Sequence, residues 1–381
     1  MQFRDLNKQY KNLKPRIDAA LLEVVASGSY IMGAEVKELE MLLAEYVGVK
    51  HCITCANGTD ALTLALKAWG VGVGDAVFVP DFTFFASAEV VSLEGATPVF
   101  VDVSEETFNI DCDKLEEAIT RVLEEGILKP KVIISVDLFG LPADYFSLKQ
   151  LADRFELFLL EDAAQGFGGN IDGRMAGSLG DISTTSFFPA KPLGCYGDGG
   201  AVFTDSDDWA TIINSLKVHG KGSDKYDNVR IGLNSRLDTI QAAILKPKFD
   251  AFKNTELERI NQVASLYSLL LKDVVSVPVI PAGYYSSWAQ YTIVLSDELQ
   301  RNELQQYLRG SGIPTMVYYP NPLHLQTAYK ELTYAKGDFP VTEKLSQTVL
   351  SLPIHPYMEL EEVNFVSDKI KEFISKETDI L

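Results

Sequence analysis

The sequence lacks the features of a membrane, secreted or nucleic-acid-binding protein. No stretch reaches the roughly 18 to 20 apolar residues of a membrane-spanning helix, and residues 1–5 lack the apolar core of a signal peptide. The four cysteines are too few and too irregular for a disulfide framework. The 34 basic residues are outnumbered by 53 acidic ones, and the sequence contains no run of basic residues that could bind nucleic-acid phosphates. We therefore expect a cytoplasmic protein with no membrane or nucleic-acid partner.

Common ligand-binding signatures are also missing. There is no G-x-G-x-x-G after the first predicted strand and no G-x-x-x-x-G-K-[ST], which argues against a dinucleotide or ATP site. His51, His219 and His355 each stand alone, without the paired spacing of metal ligands. Cys52 and Cys55 form a C-x-x-C, but it lies in an apolar run and has no second pair. We expect no metal site.

The chain does contain short β-branched or aromatic runs that alternate with longer helical patterns from about residue 50 to 205. This alternation is typical of parallel strands joined by crossover helices. The predicted strands are 53–56, 76–80, 98–103, 131–136, 157–161, 183–188 and 201–204. The predicted helices are 61–69, 86–93, 115–123 and 146–155. The fold class is therefore α/β with a mainly parallel sheet.

The pattern changes in the last third of the chain. A long helical stretch runs from about residue 234 toward residue 270, and short strands and helices follow it. We predict a large domain over residues 1–245 and a smaller C-terminal α+β domain over residues 246–381.

The first candidate binding feature follows the strand predicted at 53–56. Asn57, Gly58 and Thr59 directly precede the helix predicted at 61–69. Glycine lets the backbone approach an anion, Thr59 adds a hydroxyl donor, and a helix N-terminus presents unpaired N–H groups with partial positive charge. The alternative is an ordinary helix cap with a permissive glycine.

Asp162 and Gln165 form the second candidate feature. The apolar run at 157–160 leads into Asp162, which places this carboxylate at the carboxyl end of a parallel strand, where open α/β sheets bind ligands. A carboxylate there can pair with a cationic ring nitrogen, and Gln165 can face the same cleft. The alternative for Asp162 is a helix cap.

Lys191 lies in the most distinctive segment, residues 185–200, among aromatic, proline and glycine residues. Desolvation lowers the pKa of a lysine amine and makes it a nucleophile for carbonyl carbons, so a lysine in an apolar loop suits that chemistry. Ser186 stands five positions earlier. The alternative is a surface lysine on a turn.

Four motifs in fixed order carry the clearest signal. They are N-G-T-D-A-L at 57–62, E-D-A-A-Q at 161–165, S-F-F-P-x-K-P-L-G-x-Y-G-D-G-G-A at 186–201 and N-S-R-L-D-x-x-Q-A-A-I-L at 234–245. Together they resemble the bacterial nucleotide-sugar aminotransferases of the DegT/DnrJ/StrS type, and the likeness covers nearly the whole chain. The resemblance implies the fold type I of pyridoxal 5′-phosphate (PLP) enzymes, with PLP as cofactor and glutamate as amino donor.

The resemblance implies roles for the residues around the cofactor ring. Lys191 is expected to bind PLP covalently and to move the proton during transfer. Asp162 is expected to keep the ring nitrogen protonated, and Gln165 to hydrogen-bond the ring hydroxyl. Phe84 takes the place of the family's ring-stacking aromatic, with core packing as the alternative.

The resemblance also implies which residues hold the cofactor phosphate. Gly58, Thr59 and Ser186 match the family's phosphate-binding positions. Asn234 matches a residue that reaches the phosphate of the neighbouring subunit. We therefore expect a homodimer in which each active site needs two chains.

Within the family, segments 52–57 and 289–292 are most similar to aminotransferases of UDP-2-acetamido-2-deoxy-3-oxo-glucuronate. This similarity implies amination at C3 of that sugar, for surface polysaccharides such as lipopolysaccharide O-antigen. Arg236 matches an arginine beside the uronic carboxylate, and an arginine fork suits such a group. The alternative is that Arg236 only braces its loop.

Three further residues are candidates for substrate binding. Tyr318 and Tyr319 occupy a motif that often reads His-Tyr-Pro in these enzymes, so Tyr318 replaces a histidine that lies near the nucleotide sugar. His324 matches a family loop near the substrate.

Other functions stay open at this point. A neutral UDP- or dTDP-linked 3-keto or 4-keto deoxysugar is the main alternative substrate. A PLP sugar dehydratase has the same fold, but members known for dehydration replace the lysine with histidine, and Lys191 argues against this. A non-catalytic regulatory relative would not need the intact lysine, aspartate and glutamine.

Overall fold

A computed structural model describes residues 1–224 and 226–378. The helices are α1 (Leu6–Ser27), α2 (Ala34–Val47), α3 (Gly58–Ala68), α4 (Ala86–Leu93), α5 (Cys112–Glu125), α6 (Tyr145–Phe155), α7 (Asp207–Leu216), α8 (Thr239–Ala251), α9 (Leu257–Leu271), α10 (Glu298–Gly310), α11 (Pro340–Thr348) and α12 (Leu360–Thr378). The strands are β1 (His51–Cys55), β2 (Asp75–Pro80), β3 (Thr97–Val101), β4 (Lys129–Val136), β5 (Phe158–Asp162), β6 (Asn170–Ile171), β7 (Arg174–Met175), β8 (Ile182–Ser186), β9 (Gly200–Thr204), β10 (Tyr284–Tyr285), β11 (Tyr291–Val294) and β12 (Val349–Leu352).

The largest sheet in the described part of the chain has the strand order β1-β9-β8-β5-β4-β2-β3. Its strands from β8 to β3 pair in parallel, whereas β9 lies antiparallel between β1 and β8. Every strand and helix predicted from the sequence is present, and the predicted α/β class is confirmed. The sequence analysis did not predict α1, α2 or α7.

The sheet separates two apolar cores. Val77 of β2 packs in the same cluster as Leu66 of α3, and Phe78 packs with Ile119 of α5 in the other. Successive side chains of a strand point to opposite faces, so a strand covered on both sides is apolar at every position. This explains why the strands appear in the sequence as continuous apolar runs.

Polar residues follow the strands at one edge of this sheet. β2 is followed by Asp81, β5 ends in Asp162, β8 ends in Ser186, and β1 leads into α3 through Asn57. These strands run in the same direction, so their carboxyl ends meet. The topology thus gathers residues from distant parts of the sequence at one place.

The C-terminal part is built around the antiparallel pair β11 and β12, packed against α9, α10 and α12. The predicted long helical stretch is present as α8 and α9, joined by the π-helical turn Phe252–Glu256. The predicted domain boundary at 245/246 falls inside α8, and the division into two domains stays a prediction. Among the described residues, no helix has an apolar stretch long enough to cross a membrane.

Candidate active site

A cavity of about 620 Å³ lies at the carboxyl ends of the parallel strands. It brings together most of the residues singled out in the sequence. The predicted site residues in its lining are Gly58, Thr59, Phe84, Asp162, Gln165, Ser186, Lys191, Tyr318 and Tyr319. The predicted residues Asn234, Arg236 and His324 lie outside this lining.

Asp162 is the buried carboxylate of the cavity. It ends β5, is 6% exposed, and accepts hydrogen bonds from the Ser87 hydroxyl at 2.9 Å and the Ala164 N–H at 3.1 Å. Burial raises the pKa of Asp162, while the charge of Lys191 and these two hydrogen bonds oppose the shift. The chain after Asp162 turns without forming a helix, so Asp162 is not a helix cap.

Lys191 presents a free amine to the same cavity. Its backbone N–H donates to the Phe188 carbonyl at 2.9 Å, and its own carbonyl accepts from Arg4 Nη2 at 3.0 Å. Its Nζ makes no hydrogen bond or ion pair with any other described residue. Burial lowers the pKa of this amine below 10.5, and the charge of Asp162 opposes the shift. The surroundings therefore favour the neutral, nucleophilic form of this amine more than water does. Lys191 lines a cavity, which a surface lysine would not.

The N-terminus of α3 closes one end of the cavity. Asn57 caps the helix, because its Oδ1 accepts from the Asp60 N–H at 2.7 Å. A Cβ on Gly58 would lie 2.7 Å from the Ser186 Cβ, so only glycine lets the start of α3 approach the end of β8 this closely. The helix cap and the close approach thus coexist. Together with Thr59 they form a small, polar end with partial positive charge, suited to an anion.

Phe84 and Gln165 also line the cavity. Phe84 is 55% exposed, which excludes the core-packing alternative, and its ring centroid lies 6.2 Å from that of Tyr319. Gln165 is held at both ends of its amide. Its Oε1 accepts from the Phe139 N–H at 2.8 Å, and its Nε2 donates to the Tyr319 hydroxyl at 3.1 Å.

Three predicted site residues are not brought into the cavity. Asn234 is exposed and Arg236 is half-buried, and neither side chain makes a hydrogen bond or ion pair with another described residue. Both roles suggested for Arg236, recognition of a carboxylate and support of its loop, therefore stay predictions. The His324 side chain is fully buried, and its Nδ1 lies 2.6 Å from Asp81 Oδ2.

The sequence analysis missed several residues that support the site. Ser87 binds the carboxylate of Asp162, and Arg4 binds the carbonyl of Lys191. No sequence signal links these pairs, since each joins distant segments. Gln290 lines the cavity and has a buried Oε1 without a hydrogen-bond partner among the described residues. It lies in segment 289–292, which was noted only for its similarity to relatives.

The residues present fit PLP. The cavity offers a free amine for an aldehyde, a buried carboxylate for a ring nitrogen, an exposed aromatic face for a ring and a helix N-terminus for a phosphate. The unpartnered Gln290 Oε1 is a further polar atom that a ligand can satisfy.

Residues 11–371 match the DegT/DnrJ/EryC1/StrS aminotransferase family, and the chain belongs to that family. It is 44% identical to a UDP-2-acetamido-2-deoxy-3-oxo-D-glucuronate aminotransferase of Pseudomonas aeruginosa, over 96% of this chain and 98% of the relative. The crystal structure of a DegT/DnrJ/EryC1/StrS aminotransferase from Brucella abortus matches with a TM-score of 0.96 and 51% identity, over 98% of this chain and 99% of that chain. The structure of NtdA from Bacillus subtilis with bound PMP cofactor matches with a TM-score of 0.87 and 31% identity, over 96% of this chain and 82% of that chain.

These matches confirm the family resemblance, the predicted fold and the predicted enzyme class, an aminotransferase. They also confirm PLP as the cofactor, since aminotransferases of this family depend on it. PMP, the cofactor in the Bacillus structure, is the aminated form of PLP.

Proposed function

We propose that the protein transfers an amino group from glutamate to the keto carbon of a nucleotide-linked sugar. The specific substrate we propose is UDP-2-acetamido-2-deoxy-3-oxo-glucuronate, aminated at C3. The observation that carries the proposal is the free amine of Lys191 in one cavity with the buried carboxylate of Asp162. The 44% identity to the Pseudomonas enzyme supports the choice of sugar.

In this proposal Lys191 and Asp162 are the residues of the chain that take part directly in the reaction. When bound, PLP supplies an aldehyde that exchanges amino groups and a ring that accepts electrons. Lys191 would hold the cofactor through Nζ at the aldehyde carbon, with loss of water; once the amino donor has replaced it there, the freed amine would carry the proton between the substrate carbon and the cofactor. Asp162 holds the proton on the ring nitrogen, and its hydrogen bonds from Ser87 and Ala164 keep the carboxylate in place.

The other cavity residues orient the cofactor. Gly58, Thr59 and Ser186 receive the phosphate at the N-terminus of α3, where the helix dipole favours an anion. Phe84 lies against the ring face. Gln165 has one amide hydrogen left after its bond to Tyr319, and we assign that hydrogen to the ring hydroxyl.

Substrate recognition falls to Tyr318, Tyr319 and Arg236. Burial raises the pKa of Tyr318, so its hydroxyl stays a neutral donor at pH 7. Arg236 has no partner among the described residues, and its guanidinium matches the two oxygens of a uronic carboxylate. The buried His324 side chain is not assigned a contact with the sugar.

We further propose a homodimer with shared active sites. The Asn234 and Arg236 side chains lie outside the cavity of their own chain. In a dimer they would instead contact the cavity of the second copy. Apolar side chains lie exposed on the same protein, with Ile31 50%, Met32 51% and Ile231 91% exposed. An interface with a second copy explains both observations.

The proposed setting follows from the substrate. The enzyme would work in the cytoplasm, where nucleotide sugars are made, and its product would serve a surface polysaccharide such as lipopolysaccharide O-antigen.

One assay tests the proposal directly. The protein is incubated with PLP, ¹⁵N-glutamate and one of three acceptors: the UDP-linked 3-keto uronic acid, its neutral 3-keto analogue, or a dTDP-linked 4-keto deoxysugar. We expect ¹⁵N in the uronic acid product by mass spectrometry, and none with Lys191→Ala. Preference for a neutral acceptor would replace the proposed sugar with the alternative. No aminated product from any acceptor would contradict the proposed reaction class.

A further inference from the structure

A buried, hydrogen-bonded Asp–His pair joins two segments that carry cavity residues. Asp81 comes directly after β2, and its Oδ2 lies 2.6 Å from His324 Nδ1. Its Oδ1 accepts from the His324 N–H at 2.7 Å, and its carbonyl accepts from the Leu323 N–H at 3.2 Å. Both side chains have no exposed area. Three hydrogen bonds thus connect segments that are 243 residues apart.

The opposite side of the imidazole faces a second carboxylate. His324 Nε2 lies 3.4 Å from Glu343 Oε1, and the ring of Phe339 packs 4.7 Å from the imidazole. Burial alone would lower the pKa of His324, but the hydrogen bond and charge of Asp81 and the charge of Glu343 outweigh it and raise that pKa above 6.5. A charged hydrogen bond is about twice as strong as a neutral one.

The two connected segments each contribute residues to the lining of the cavity. Phe84 follows Asp81 by three residues, and Tyr319 precedes His324 by five. The Phe84 and Tyr319 ring centroids lie 6.2 Å apart, and Tyr319 in turn accepts the hydrogen bond from Gln165. Neither Asp81 nor His324 lines the cavity, so the pair acts only through the residues beside it.

We propose that Asp81 and His324 are positioning residues whose buried hydrogen-bonded pair fixes where Phe84 and Tyr319 lie in the cavity, and with them the place of the cofactor ring. The inference rests on the proposed function, which places the ring against Phe84 and Gln165. Binding sites depend on such support, because a displacement of about 1 Å costs as much as 100-fold in rate.

The chain offers a matched control in Asp102. This residue comes directly after β3, the neighbour of β2, and is 6% exposed. Its carboxylate accepts from the Val341 N–H at 3.1 Å, the Thr342 N–H at 2.9 Å and the Thr342 hydroxyl at 2.8 Å. It therefore joins a strand end to the C-terminal part just as Asp81 does. Neither Asp102 nor its partners line the cavity.

The test compares Asp81→Asn, His324→Leu, His324→Asn and Asp102→Asn with the wild-type holoenzyme. Three quantities are measured: the PLP dissociation constant, the visible circular dichroism of the bound cofactor and the melting temperature. His324→Asn keeps an N–H donor near the Nδ1 position without its charge, and His324→Leu keeps none. If His324→Leu does not fold, the Asp81→Asn and His324→Asn variants carry the comparison.

We expect Asp81→Asn and His324→Leu to weaken PLP binding by roughly tenfold, below the limit set by a full 1 Å displacement. Both should alter the visible dichroism, and His324→Asn should fall between them and the wild type. Asp102→Asn should lower the melting temperature while binding PLP within about twofold of the wild type, with the same dichroism.

Two results would overturn the inference. One is wild-type PLP binding and dichroism in Asp81→Asn and His324→Leu, whatever their melting temperatures. The other is an equal effect of Asp102→Asn. In either case a wild-type protein that carries PLP on Lys191 leaves the proposed function intact, whereas a wild-type protein without PLP on Lys191 refutes both.

Discussion

The Asp162 end of the cavity and the segment from Asn234 to Arg236 differ in how their polar side chains are held. Asp162 is buried and accepts two hydrogen bonds from its own chain. Asn234 is exposed, Arg236 is half-buried, and neither side chain has a polar partner among the described residues. One chain therefore supplies both the carboxylate and the groups that hold it in place. In the second region we propose that a second chain and the substrate supply the missing partners.

The largest effect should come from removing the amine at the cofactor end. Lys191→Ala should abolish transfer, because no other described lysine lines the cavity. Borohydride reduction followed by peptide mass spectrometry should locate PLP on Lys191 in the wild type and on no lysine in the variant.

A rival lysine makes this prediction sharper. Lys248 is 1% exposed, and burial lowers its pKa to about 8. Its amine lies over the Tyr196 ring, 4.8 Å from the centroid, and outside the cavity lining. Lys248→Gln should keep the label on Lys191. A label on Lys248 in the wild type would contradict the assignment.

Asp162→Asn should be the next most damaging change. The variant should still bind PLP but lose at least about 100-fold in kcat, because a neutral amide cannot keep the ring nitrogen protonated. Ser87→Ala is the matched control, since it removes one hydrogen bond to Asp162 and leaves the charge. Its loss in kcat should be much smaller. Near-normal turnover of Asp162→Asn would rule out the proposed role.

The other region can be tested by mixing inactive chains. Lys191→Ala and Asn234→Ala should each be nearly inactive alone. If each site combines Lys191 of one chain with Asn234 of the other, random exchange makes half of the dimers mixed, with one working site of two, and restores about a quarter of wild-type activity. No recovery would show that Asn234 serves its own chain. A fully active monomer in sedimentation would also contradict shared sites.

Arg236 should affect which sugar is accepted rather than whether transfer occurs. Arg236→Lys keeps the charge but loses the two-pronged guanidinium. The fall in kcat/KM, expressed as transition-state free energy, should be about 1 to 3 kcal/mol larger for the 3-keto uronic acid than for its neutral analogue. Arg230 is the control, because it lies shortly before this segment and its Nη1 donates to the Ser215 hydroxyl at 3.3 Å. Arg230→Lys should change both substrates equally. Equal losses with Arg236→Lys would mean that it does not recognise the carboxylate.

The same two regions show what the sequence can predict. Asp162 was predicted from the apolar run before it, because the end of a parallel strand is a common ligand site. The support of that site could not be predicted, since Ser87 is 75 residues from Asp162 and Arg4 is 187 residues from Lys191. Contacts of this kind depend on packing across the fold and leave no spacing pattern.

His324 and β9 illustrate two other limits. The motif around His324 predicts a residue near the substrate, but residues 322–326 do not line the cavity, and the His324 side chain is hydrogen-bonded to the buried Asp81. The strand at 201–204 was predicted from its apolar residues, yet nothing in them distinguishes the antiparallel direction of β9. A pattern of residue types predicts a helix or strand and its burial more readily than the residue or strand that it pairs with.

The smallest expected effect is a pH dependence of stability from the buried charges behind the cofactor end. His324 faces Asp81, Glu343 and Asp338, and the ring of Tyr334 lies 6.5 Å away. Burial acts to lower the pKa of His324, but these carboxylates raise it above 6.5 on balance. The folded state thus holds a proton that the unfolded chain releases near pH 6.5. This stabilisation is complete below pH 6.5 and is lost as pH rises through the folded pKa.

The window from pH 6.5 to 8 isolates this pair from two other buried groups. Burial lowers the pKa of His355 to about 4, so its contribution to the pH dependence of stability lies below pH 6.5. Burial lowers the pKa of Lys248 to about 8, so its contribution lies mainly above pH 8. Urea unfolding of the wild type should show the free energy of unfolding falling across this window. The double variant Asp81→Asn/His324→Asn has no titrating group at either position, so its curve should be flatter. Parallel curves for the two proteins would show that this pair does not carry the pH dependence.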